Sequence, residues 1–399
     1  MLKRKKIPKL KLINFNKLVS SLNYKELHVL NGIISDIKND TGFFELDCTD
    51  CILAPGFVDV QVNGLGSCNF WDISTLNYEA IDNLRLELAF SGVVAFCPTI
   101  ITASEDKIIK TIDHINSYLK SAPNDAGARI LGIHIEGIFI TKCGVHDPKY
   151  VKKELTVKNI RPYMNENVIL WTLAPELDET GEAIRFLKER KILVSIGHSS
   201  ASYREGVLAI EKYNLETVSH MFNALRGIKD FSHRTEDRLD LNILISKLED
   251  QSKIKPDEDG IMLAVLKNKN VLTMIISDGL HVHKDLVGFL RNYKGKDNFA
   301  LVSDYVSQPS FNLAKSKNTL GGSQTTLDNC VLNLVSWGVC SLEDALISAS
   351  YPVSQRVPAA REIGLGNIQT GKEANIVIWD TKKNAVRGTI IGENVFLKY

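Results

Sequence analysis

The amino-acid sequence predicts an α/β protein, a (β/α)8 TIM-like barrel with a small β-sandwich domain built from both termini. Three observations lead to this prediction. Short apolar strands alternate with helical patterns through the middle of the chain, both ends consist of strand-like runs, and polar residues follow the apolar strands. The 399 residues are enough for one large catalytic domain and a small accessory one.

Both ends of the chain have the sequence pattern of β-strands. Strand-like runs separated by polar turns lie at residues 11–15, 26–30, 32–37 and 43–46, and again at 374–379 and 388–391. The economical arrangement joins these runs in one domain. We therefore expect residues 1–53 and 356–399 to form the small β domain, and residues 54–355 to form the barrel.

The middle of the chain repeats a β-α unit. Apolar strands are predicted at residues 93–96, 130–135, 168–173, 192–196, 217–220, 271–276 and 299–303. Helical patterns, such as those at residues 105–119, 181–189 and 203–213, separate them. Repeated units of this kind predict a barrel. A doubly wound sheet is the alternative, but no glycine-rich phosphate loop opens the first unit.

Polar residues stand at the carboxyl ends of these strands. They are Asp59, Gln61, Glu136, His198, His220, Asp278 and Asp304. Barrel enzymes build their active sites on this rim. A single polar residue at the end of a strand is more often structural. Because polar residues recur at the ends of several strands, however, they indicate an active site.

Glu136, His198 and His220 are a candidate set of metal ligands on successive strands. Two imidazoles and a carboxylate with an open fourth position suit catalytic zinc, and Fe²⁺, Co²⁺ or Mn²⁺ accept the same donors. We expect a divalent ion at these residues, with Zn²⁺ the first choice. Such an ion lowers the pKa of water towards ~7. Asp304 is then the expected general base, and the predicted reaction is hydrolysis of a C–N amide bond.

Seven short motifs follow one another along the chain. They are Ala54-Pro-Gly-Phe-Val-Asp-Val-Gln-Val-Asn-Gly64, Gly132-Ile-His-Ile-Glu-Gly137, Leu173-Ala-Pro-Glu176, Gly197-His-Ser199, Ser219-His-Met-Phe-Asn-Ala-Leu225, Ser277-Asp-Gly-Leu-His281 and Leu301-Val-Ser-Asp304. In this order they resemble the N-acetylglucosamine-6-phosphate deacetylase family of the amidohydrolase superfamily. The resemblance implies hydrolytic deacetylation of N-acetylglucosamine 6-phosphate to glucosamine 6-phosphate and acetate.

The first motif also bears on the number of metal ions. Many amidohydrolases carry His-x-His on the first barrel strand and hold two metals, whereas Gln61 and Asn63 occupy those positions here. The resemblance is to deacetylases that work with one metal, and it implies a single ion held by the three ligands above. We expect Gln61, Asn63 and His134 to support the site rather than to bind the metal.

The resemblance further implies a set of substrate contacts. They are Val145, His146, Asn223, Ala224, Arg234, His281, Leu320, Gly321 and Gly322. It places His281 near the phosphate and implies a homodimer in which Arg234 reaches the neighbouring site. A guanidinium fork suits a phosphate dianion.

The chain departs from the family pattern in loops that would face the substrate. Ile138 stands where the family carries proline, and residues 226–260 and 305–322 differ in sequence and length. Two alternatives therefore stay open. One is a related amidohydrolase with another N-acyl sugar or a cyclic amide as substrate, and the other is a weakened barrel used as a binding protein.

Composition limits the partners and the compartment. A formal net charge of +1 favours neither nucleic acid nor a membrane surface, and no stretch approaches the ~20 apolar residues of a membrane span. Seven scattered cysteines, an odd number, predict reduced thiols and a cytoplasmic protein. We expect the four tryptophans, at positions 71, 171, 337 and 379, to pack in the core.

Overall fold

The computed structural model describes residues 2–20, 24–36, 41–121, 127–228, 241–307 and 321–398. The strands in these ranges are β1 (Leu2–Lys6), β2 (Lys9–Ile13), β3 (Lys17–Leu18), β4 (Leu27–Leu30), β5 (Ile33–Ser35), β6 (Phe44–Asp47), β7 (Cys51–Pro55), β8 (Phe57–Val62), β9 (Gly64–Leu65), β10 (Cys68–Asn69), β11 (Val93–Ile101), β12 (Arg129–Ile130), β13 (Ile133–Glu136), β14 (Val168–Leu173), β15 (Leu193–Ile196), β16 (Thr217–Val218), β17 (Leu272–Ile275), β18 (Phe299–Leu301), β19 (Asn375–Asp380), β20 (Ala385–Ile391) and β21 (Asn394–Lys398).

The helices alternate with the strands of the middle region and continue after it. They are α1 (Tyr78–Phe90), α2 (Glu105–Ser121), α3 (Val157–Ile160), α4 (Glu182–Glu189), α5 (Tyr203–Lys212), α6 (Leu241–Glu249), α7 (Ile261–Lys267), α8 (Lys284–Lys294), α9 (Leu327–Ser336), α10 (Leu342–Ser348), α11 (Tyr351–Arg356) and α12 (Pro358–Glu362). Among the described residues, every helix is too short or too polar to span a bilayer.

Parallel strands form the predicted barrel. In order around it they are β8, β11, β13, β14, β15, β16, β17 and β18. The ring closes where the chain after β18 returns to β8. There Tyr305 forms a parallel bridge with Val62, and the backbone N–H of Asn63 donates to the carbonyl oxygen of Tyr305 over 2.8 Å. The (β/α)8 architecture predicted from the sequence is therefore confirmed.

Two strand predictions differ from the structure in ways that matter for the site. Strand β11 runs five residues beyond the predicted segment 93–96, so its carboxyl end lies at Ile101. The predicted strand 130–135 is instead two strands, because Gly132 interrupts it with a φ of +154°. A Cβ atom at Gly132 would lie 2.8 Å from the carbonyl oxygen of Asn167, so glycine allows the close approach of the neighbouring chain.

The two ends of the chain form a β-sandwich. One sheet has the strand order β1-β21-β20-β19-β7-β3 and the other has the order β5-β4-β2-β6. Buried apolar side chains from both sheets, among them Leu12, Val29, Leu53 and Ile376, share one hydrophobic core. Both termini thus contribute to one sandwich, as predicted. The proposed division into residues 1–53 with 356–399 and residues 54–355 stays a prediction, and β7 crosses its first boundary.

The sandwich packs directly against the barrel. The ring of Phe396, fully buried in β21, lies edge-to-face on Phe90 of α1 with 5.8 Å between the ring centroids. Nearby, the guanidinium of Arg129 donates to both carboxylate oxygens of Glu373 over 2.9 and 2.8 Å. The interface is therefore apolar at its centre, which couples the stability of the two parts.

Truncation of Phe396 tests this coupling. We expect Phe396→Ala to lower the free energy of unfolding by about 3–5 kcal/mol, because it leaves a cavity between α1 and β21. Urea denaturation measures the change. Phe44→Ala is the matched control: Phe44 is 46% exposed, so the same truncation there costs about 1 kcal/mol or less. Equal losses in the two variants would contradict the proposed packing role.

Candidate active site

Several predicted site residues share an unusual backbone conformation. His198, His220 and Asp304 follow the ends of β15, β16 and β18, and their φ angles are +50°, +30° and +48°. Non-glycine residues rarely adopt positive φ, and each such residue costs on the order of 1–3 kcal/mol. Strain of this kind concentrates at functional sites, because the fold must hold a side chain in one required direction.

The carboxylate of Glu136 lies at the centre of the cluster. Its Oε1 atom is 2.7 Å from Nε2 of His220 and 3.3 Å from Nε2 of His198. The amide Nε2 of Gln61 donates to the same oxygen over 2.9 Å. All four side chains are buried, so the barrel gathers one carboxylate and two imidazoles in a nearly dry pocket.

These contacts fit a divalent cation. The Nδ1 atom of His198 donates to the carbonyl oxygen of Lys142 over 2.7 Å, which leaves the lone pair of its Nε2 directed to the Glu136 side. The Nδ1 atom of His220 is buried and has no hydrogen-bond partner among the described residues. Two imidazole nitrogens and one carboxylate oxygen are a donor set that zinc and other first-row divalent ions accept.

A second set of possible metal ligands shares Glu136 and His198 with the first. Glu136, His146 and His198 also offer ligand atoms within 4.8 Å of one another. However, Nδ1 of His146 accepts the backbone N–H of Thr102 over 3.3 Å and lies 2.8 Å from the Thr102 hydroxyl. An acceptor at Nδ1 places the ring proton on Nε2 in the neutral imidazole. The proton on Nε2 of His146 thus makes this nitrogen a hydrogen-bond donor, whereas Nε2 of His198 has a lone pair.

Burial sets the protonation of two histidines near the cluster. It lowers the pKa of His146 to about 3 and that of His134 to about 4, so both are neutral at pH 7. The Nδ1 atom of His134 lies 2.9 Å from the carbonyl oxygen of Val60, and its Nε2 lies 2.8 Å from the hydroxyl of Thr172. Both nitrogens of His134 have protein partners, which leaves no lone pair for an ion.

Asp304 lies beside the cluster and is held by an amide. The Nδ2 atom of Asn63 donates to Oδ1 of Asp304 over 2.7 Å, and the indole N–H of Trp71 donates to Oδ1 of Asn63 over 3.0 Å. Because an indole N–H can only donate, it fixes which end of the Asn63 amide faces Asp304. Trp71 is half-buried, so its expected place in the core was wrong, whereas Trp171 and Trp379 are in the core.

The electrostatics of the pocket suit Asp304 to proton transfer. Burial raises its pKa to about 7, and the negative charge of Glu136 acts in the same direction. For His220, burial alone would lower the pKa, but the hydrogen bond and the charge of Glu136 outweigh burial and raise the pKa to about 9. The pKa of Glu136 itself stays well below its usual range despite burial, because His198 and His220 stabilise its charge.

Two further rim carboxylates have local partners. Asp59 accepts the backbone N–H groups of Gln61 and Ser303 over 3.3 and 3.2 Å, so it holds β8 next to the chain after β18. Asp278 lies 2.7 Å from Nδ1 of His281 and accepts the N–H groups of Leu280 and His281. The contact with Asp278 thus engages Nδ1 of His281 and leaves Nε2 as the ring nitrogen that could bind a ligand.

The structure describes most of the predicted substrate contacts. The backbone N–H of Asn223 donates to the carbonyl oxygen of His220 over 2.9 Å, and the next residue, Ala224, has a φ of +47°. Gly321 and Gly322 are buried, and they precede Ser323, whose N–H donates to the carbonyl oxygen of Asp304 over 2.8 Å. Val145 directly precedes His146. Arg234 and Leu320 lie outside the described residues, as do parts of the divergent loops 226–260 and 305–322.

Sequence reasoning missed Thr102, which connects two parts of the site. Its hydroxyl accepts the backbone N–H of Ile138 over 2.8 Å while it holds His146. The signal was present, since Thr102 directly follows β11 and so obeys the pattern of polar residues after apolar strands. It was hidden because the predicted strand ended at residue 96.

The raised pKa of Asp304 predicts how the stability of the metal-free protein depends on pH. The unfolded carboxyl ionises near its ordinary value of 3.8 and the folded one near 7, so unfolding releases a proton between these values. The stability of the wild type should fall as pH rises through this window, whereas Asp304→Asn escapes the loss. We compare the free energy of unfolding of Asp304→Asn with that of the wild type. From pH 5 to pH 8 we expect this difference to shift in favour of the variant by on the order of 1 kcal/mol or more.

Urea unfolding in the presence of a chelator measures this difference. Asp113→Asn, the same substitution at an exposed position on α2, is the matched control. An effect of Asp304→Asn that is the same at both pH values would show that the Asp304 carboxyl titrates normally in the folded protein.

Comparisons with known proteins place the chain among enzymes of this architecture. No model of a known protein family matches it. The chain is 28% identical to N-acetylglucosamine-6-phosphate deacetylase of Danio rerio over 410 residues, with 94% of each chain covered. It is 29% identical to the enzyme of that name in Caenorhabditis elegans, with 94% and 91% covered, and 28% identical to that of Haemophilus influenzae, with 91% of each covered.

Solved structures give the same result for the fold. The crystal structure of N-acetylglucosamine-6-phosphate deacetylase from Pasteurella multocida superposes with a TM-score of 0.78 at 24% identity, covering 97% of this chain and 99% of that one. A mutant of the Mycobacterium smegmatis enzyme in complex with N-acetyl-D-glucosamine-6-phosphate superposes with a TM-score of 0.75 at 18% identity, covering 96% and 98%. Over nearly its whole length, the chain is thus similar in sequence to N-acetylglucosamine-6-phosphate deacetylases and shares the fold of their solved structures, which confirms the resemblance seen in its motifs.

Proposed function

We propose that the protein is a metal-dependent amide hydrolase that converts N-acetylglucosamine 6-phosphate and water to glucosamine 6-phosphate and acetate. One observation carries the proposal most directly. A carboxyl group with a pKa raised to about 7, that of Asp304, lies beside a buried group of one carboxylate and two imidazoles on the rim of the barrel. The names of the relatives supply the substrate.

In this proposal, Glu136, His198 and His220 hold a single divalent ion. When bound, the ion supplies Lewis acidity, which polarises a carbonyl oxygen and lowers the pKa of water. Zinc is the first candidate, and Fe²⁺, Co²⁺ and Mn²⁺ suit the same donors. Gln61 is a hydrogen-bond donor to Glu136 rather than a ligand, which is consistent with one ion instead of two.

Asp304 is the proposed general base and general acid. Asn63 occupies its Oδ1 atom, so Oδ2 is the oxygen that takes the proton of the attacking water. The same oxygen then returns the proton to the amine nitrogen as the C–N bond breaks. A pKa near 7 serves both steps, because the group must be ionised for the first and protonated for the second.

His146 and the neighbouring loops bind the substrate in this proposal. With Nδ1 engaged by Thr102, the proton on Nε2 of His146 can be donated to the carbonyl oxygen of the acyl group. Asn223, Ala224, Gly321 and Gly322 contact the sugar, and His281 binds the phosphate through Nε2. We further propose a homodimer in which Arg234 and Leu320 complete the site, with Arg234 reaching the neighbouring subunit.

The state of the cysteines bears on the cellular setting. All seven cysteines are free in the structure, which supports our proposal that the protein is cytoplasmic.

Acetate release from N-acetylglucosamine 6-phosphate tests the function. We expect the metal-loaded protein to turn over this substrate, and Asp304→Asn to lower kcat by about 100- to 10,000-fold at unchanged metal content. Asp59→Asn is a useful control, because Asp59 is a buried rim carboxylate bonded to backbone rather than to the cluster. No turnover by the loaded wild type would favour the alternatives, another N-acyl sugar or a cyclic amide as substrate, or a binding function.

Metal content distinguishes the two overlapping groups of possible ligands. We expect His198→Ala and His220→Ala to lower metal affinity by more than about 100-fold, because each removes a ligand. His146→Ala should retain the ion and lose activity instead, since His146 is a donor in the proposed site. Elemental analysis after dialysis measures all three variants. Loss of metal from His146→Ala with normal content in His220→Ala would reverse the assignment.

A further inference from the structure

Glu176 is the last residue of the motif that follows β14, and the proposed reaction makes no use of it. In the barrel, β14 lies between β13 and β15, the strands that lead to Glu136 and His198. The Glu176 side chain is half-buried. It therefore stands on the rim between the strands of two proposed metal ligands.

The carboxylate of Glu176 accepts hydrogen bonds from two segments of the chain. Its Oε1 atom accepts from the hydroxyl of Thr141 over 2.6 Å and from the backbone N–H of Ser200 over 2.9 Å. Its Oε2 atom accepts from the hydroxyl of Ser199 over 2.7 Å. Both oxygens are thus engaged, and the carboxylate joins the segment after β13 to the segment after β15.

Both of these segments adjoin His198. The backbone N–H groups of Thr141 and Lys142 donate to the carbonyl oxygen of His198 over 2.9 and 3.0 Å. The carbonyl oxygen of Lys142 in turn accepts from Nδ1 of His198 over 2.7 Å. Residues 199–200 directly follow His198 in the chain. The Glu176 carboxylate therefore closes a ring of contacts around the turn that carries the imidazole.

The direction of the His198 ring depends on this turn. The φ angle of His198 is +50°, a conformation that a residue other than glycine keeps only where its surroundings hold it. The bond from Nδ1 to Lys142 leaves the lone pair on Nε2, which lies 3.3 Å from Oε1 of Glu136. If the two segments separate, the strained turn relaxes and Nε2 moves away from Glu136.

A purely structural role for Glu176 is the alternative, because the loss of hydrogen bonds lowers stability anywhere in a fold. Glu205 allows a comparison. Its carboxylate likewise accepts from a backbone N–H and a hydroxyl, both of Ser202, over 2.7 and 2.8 Å. Those bonds cap α5, which begins after the His198 turn. The two carboxylates thus accept the same kinds of bond but hold different parts of the chain.

We propose that Glu176 is a positioning residue of the metal centre, which holds the His198 turn and thereby directs Nε2 of His198 towards Glu136. The inference rests on the proposed function, since it takes His198 to be a metal ligand. It adds a residue that acts through that ligand. Residues that orient a ligand typically contribute about 10- to 100-fold to metal affinity.

The affinity of the whole chain for Zn²⁺, measured by competition with a chelator, tests the proposal. We expect Glu176→Ala to weaken binding by about 10- to 100-fold. Glu205→Ala is the matched control and should change the affinity by less than about twofold, because the bonds it removes lie outside the His198 turn. Equal losses in the two variants would show that general destabilisation is the cause, and would overturn the proposal.

A second measurement shows whether Glu176 acts through His198. When Glu176→Ala is added to His198→Ala, the affinity should change further by less than about twofold, because the ring that Glu176 positions is already gone. A loss of about tenfold or more in both backgrounds would mean that Glu176 acts on the site by another route, and the proposal would be wrong.

The conservative variant Glu176→Gln should restore most of the affinity. Its amide oxygen can accept from Ser200, and its amide N–H can donate to the hydroxyl of Ser199. The visible absorption bands of Co²⁺ report the arrangement of its ligands. We expect the Co²⁺-loaded Glu176→Gln variant to match the wild type and Glu176→Ala to differ from it. Identical bands in Glu176→Ala and the wild type would contradict the positioning role.

Two milder changes serve if Glu176→Ala does not fold. Thr141→Val and Ser199→Ala each remove one hydrogen bond to the same carboxylate. We expect the variant with both changes to weaken Zn²⁺ binding by about tenfold or more. Unchanged affinity in this double variant would overturn the proposal.

The outcomes separate this inference from the proposed function. If the wild type binds Zn²⁺ and releases acetate while Glu176→Ala keeps full affinity, the positioning role is wrong and the hydrolase stands. If His198→Ala keeps the ion, the ligand assignment and the role of Glu176 are both wrong.

Discussion

A single buried oxygen, Oε1 of Glu136, organises the mouth of the barrel. Nitrogen atoms from Gln61, His198 and His220 approach it within 2.9, 3.3 and 2.7 Å. A buried carboxylate is costly unless it is paired, so these side chains must converge from four separate strands. His198 and His220 have left-handed backbone conformations just after their strands, which is the kind of strain that accompanies side chains held in one required direction.

At Ile138, where the family resemblance leads us to expect proline, the chain forms a turn that proline could not adopt. The φ of +65° at Ile138 is inaccessible to proline, whose ring holds φ near −65°. Proline also lacks the N–H that Ile138 donates to Thr102. Since the same hydroxyl holds Nδ1 of His146, the altered turn contributes to the orientation of a proposed substrate-binding histidine. The substitution is therefore compatible with a working site, and it weakens the case for a barrel that only binds.

Prediction from the sequence succeeded where the structure depends on local pattern. Strand β14 matches the predicted segment, and the structure brings together Glu136, His198, His220 and Asp304, which the sequence singled out as polar residues after apolar strands. Contacts between distant segments leave no such mark. The hydrogen bond from Thr102 to His146 joins residues 44 positions apart. Even that from Trp71 to Asn63, eight positions apart, depends on the antiparallel pairing of β9 and β10, which was not predicted.

The position of Trp71 joins a residue outside the cluster to the proposed chemistry. Its indole N–H fixes the amide of Asn63, and that amide directs Oδ1 of Asp304. A change that displaces the indole therefore also disturbs the orientation of the proposed general base. Replacing Trp71 should accordingly lower the rate of the chemical step, measured as kcat, more than it weakens substrate binding.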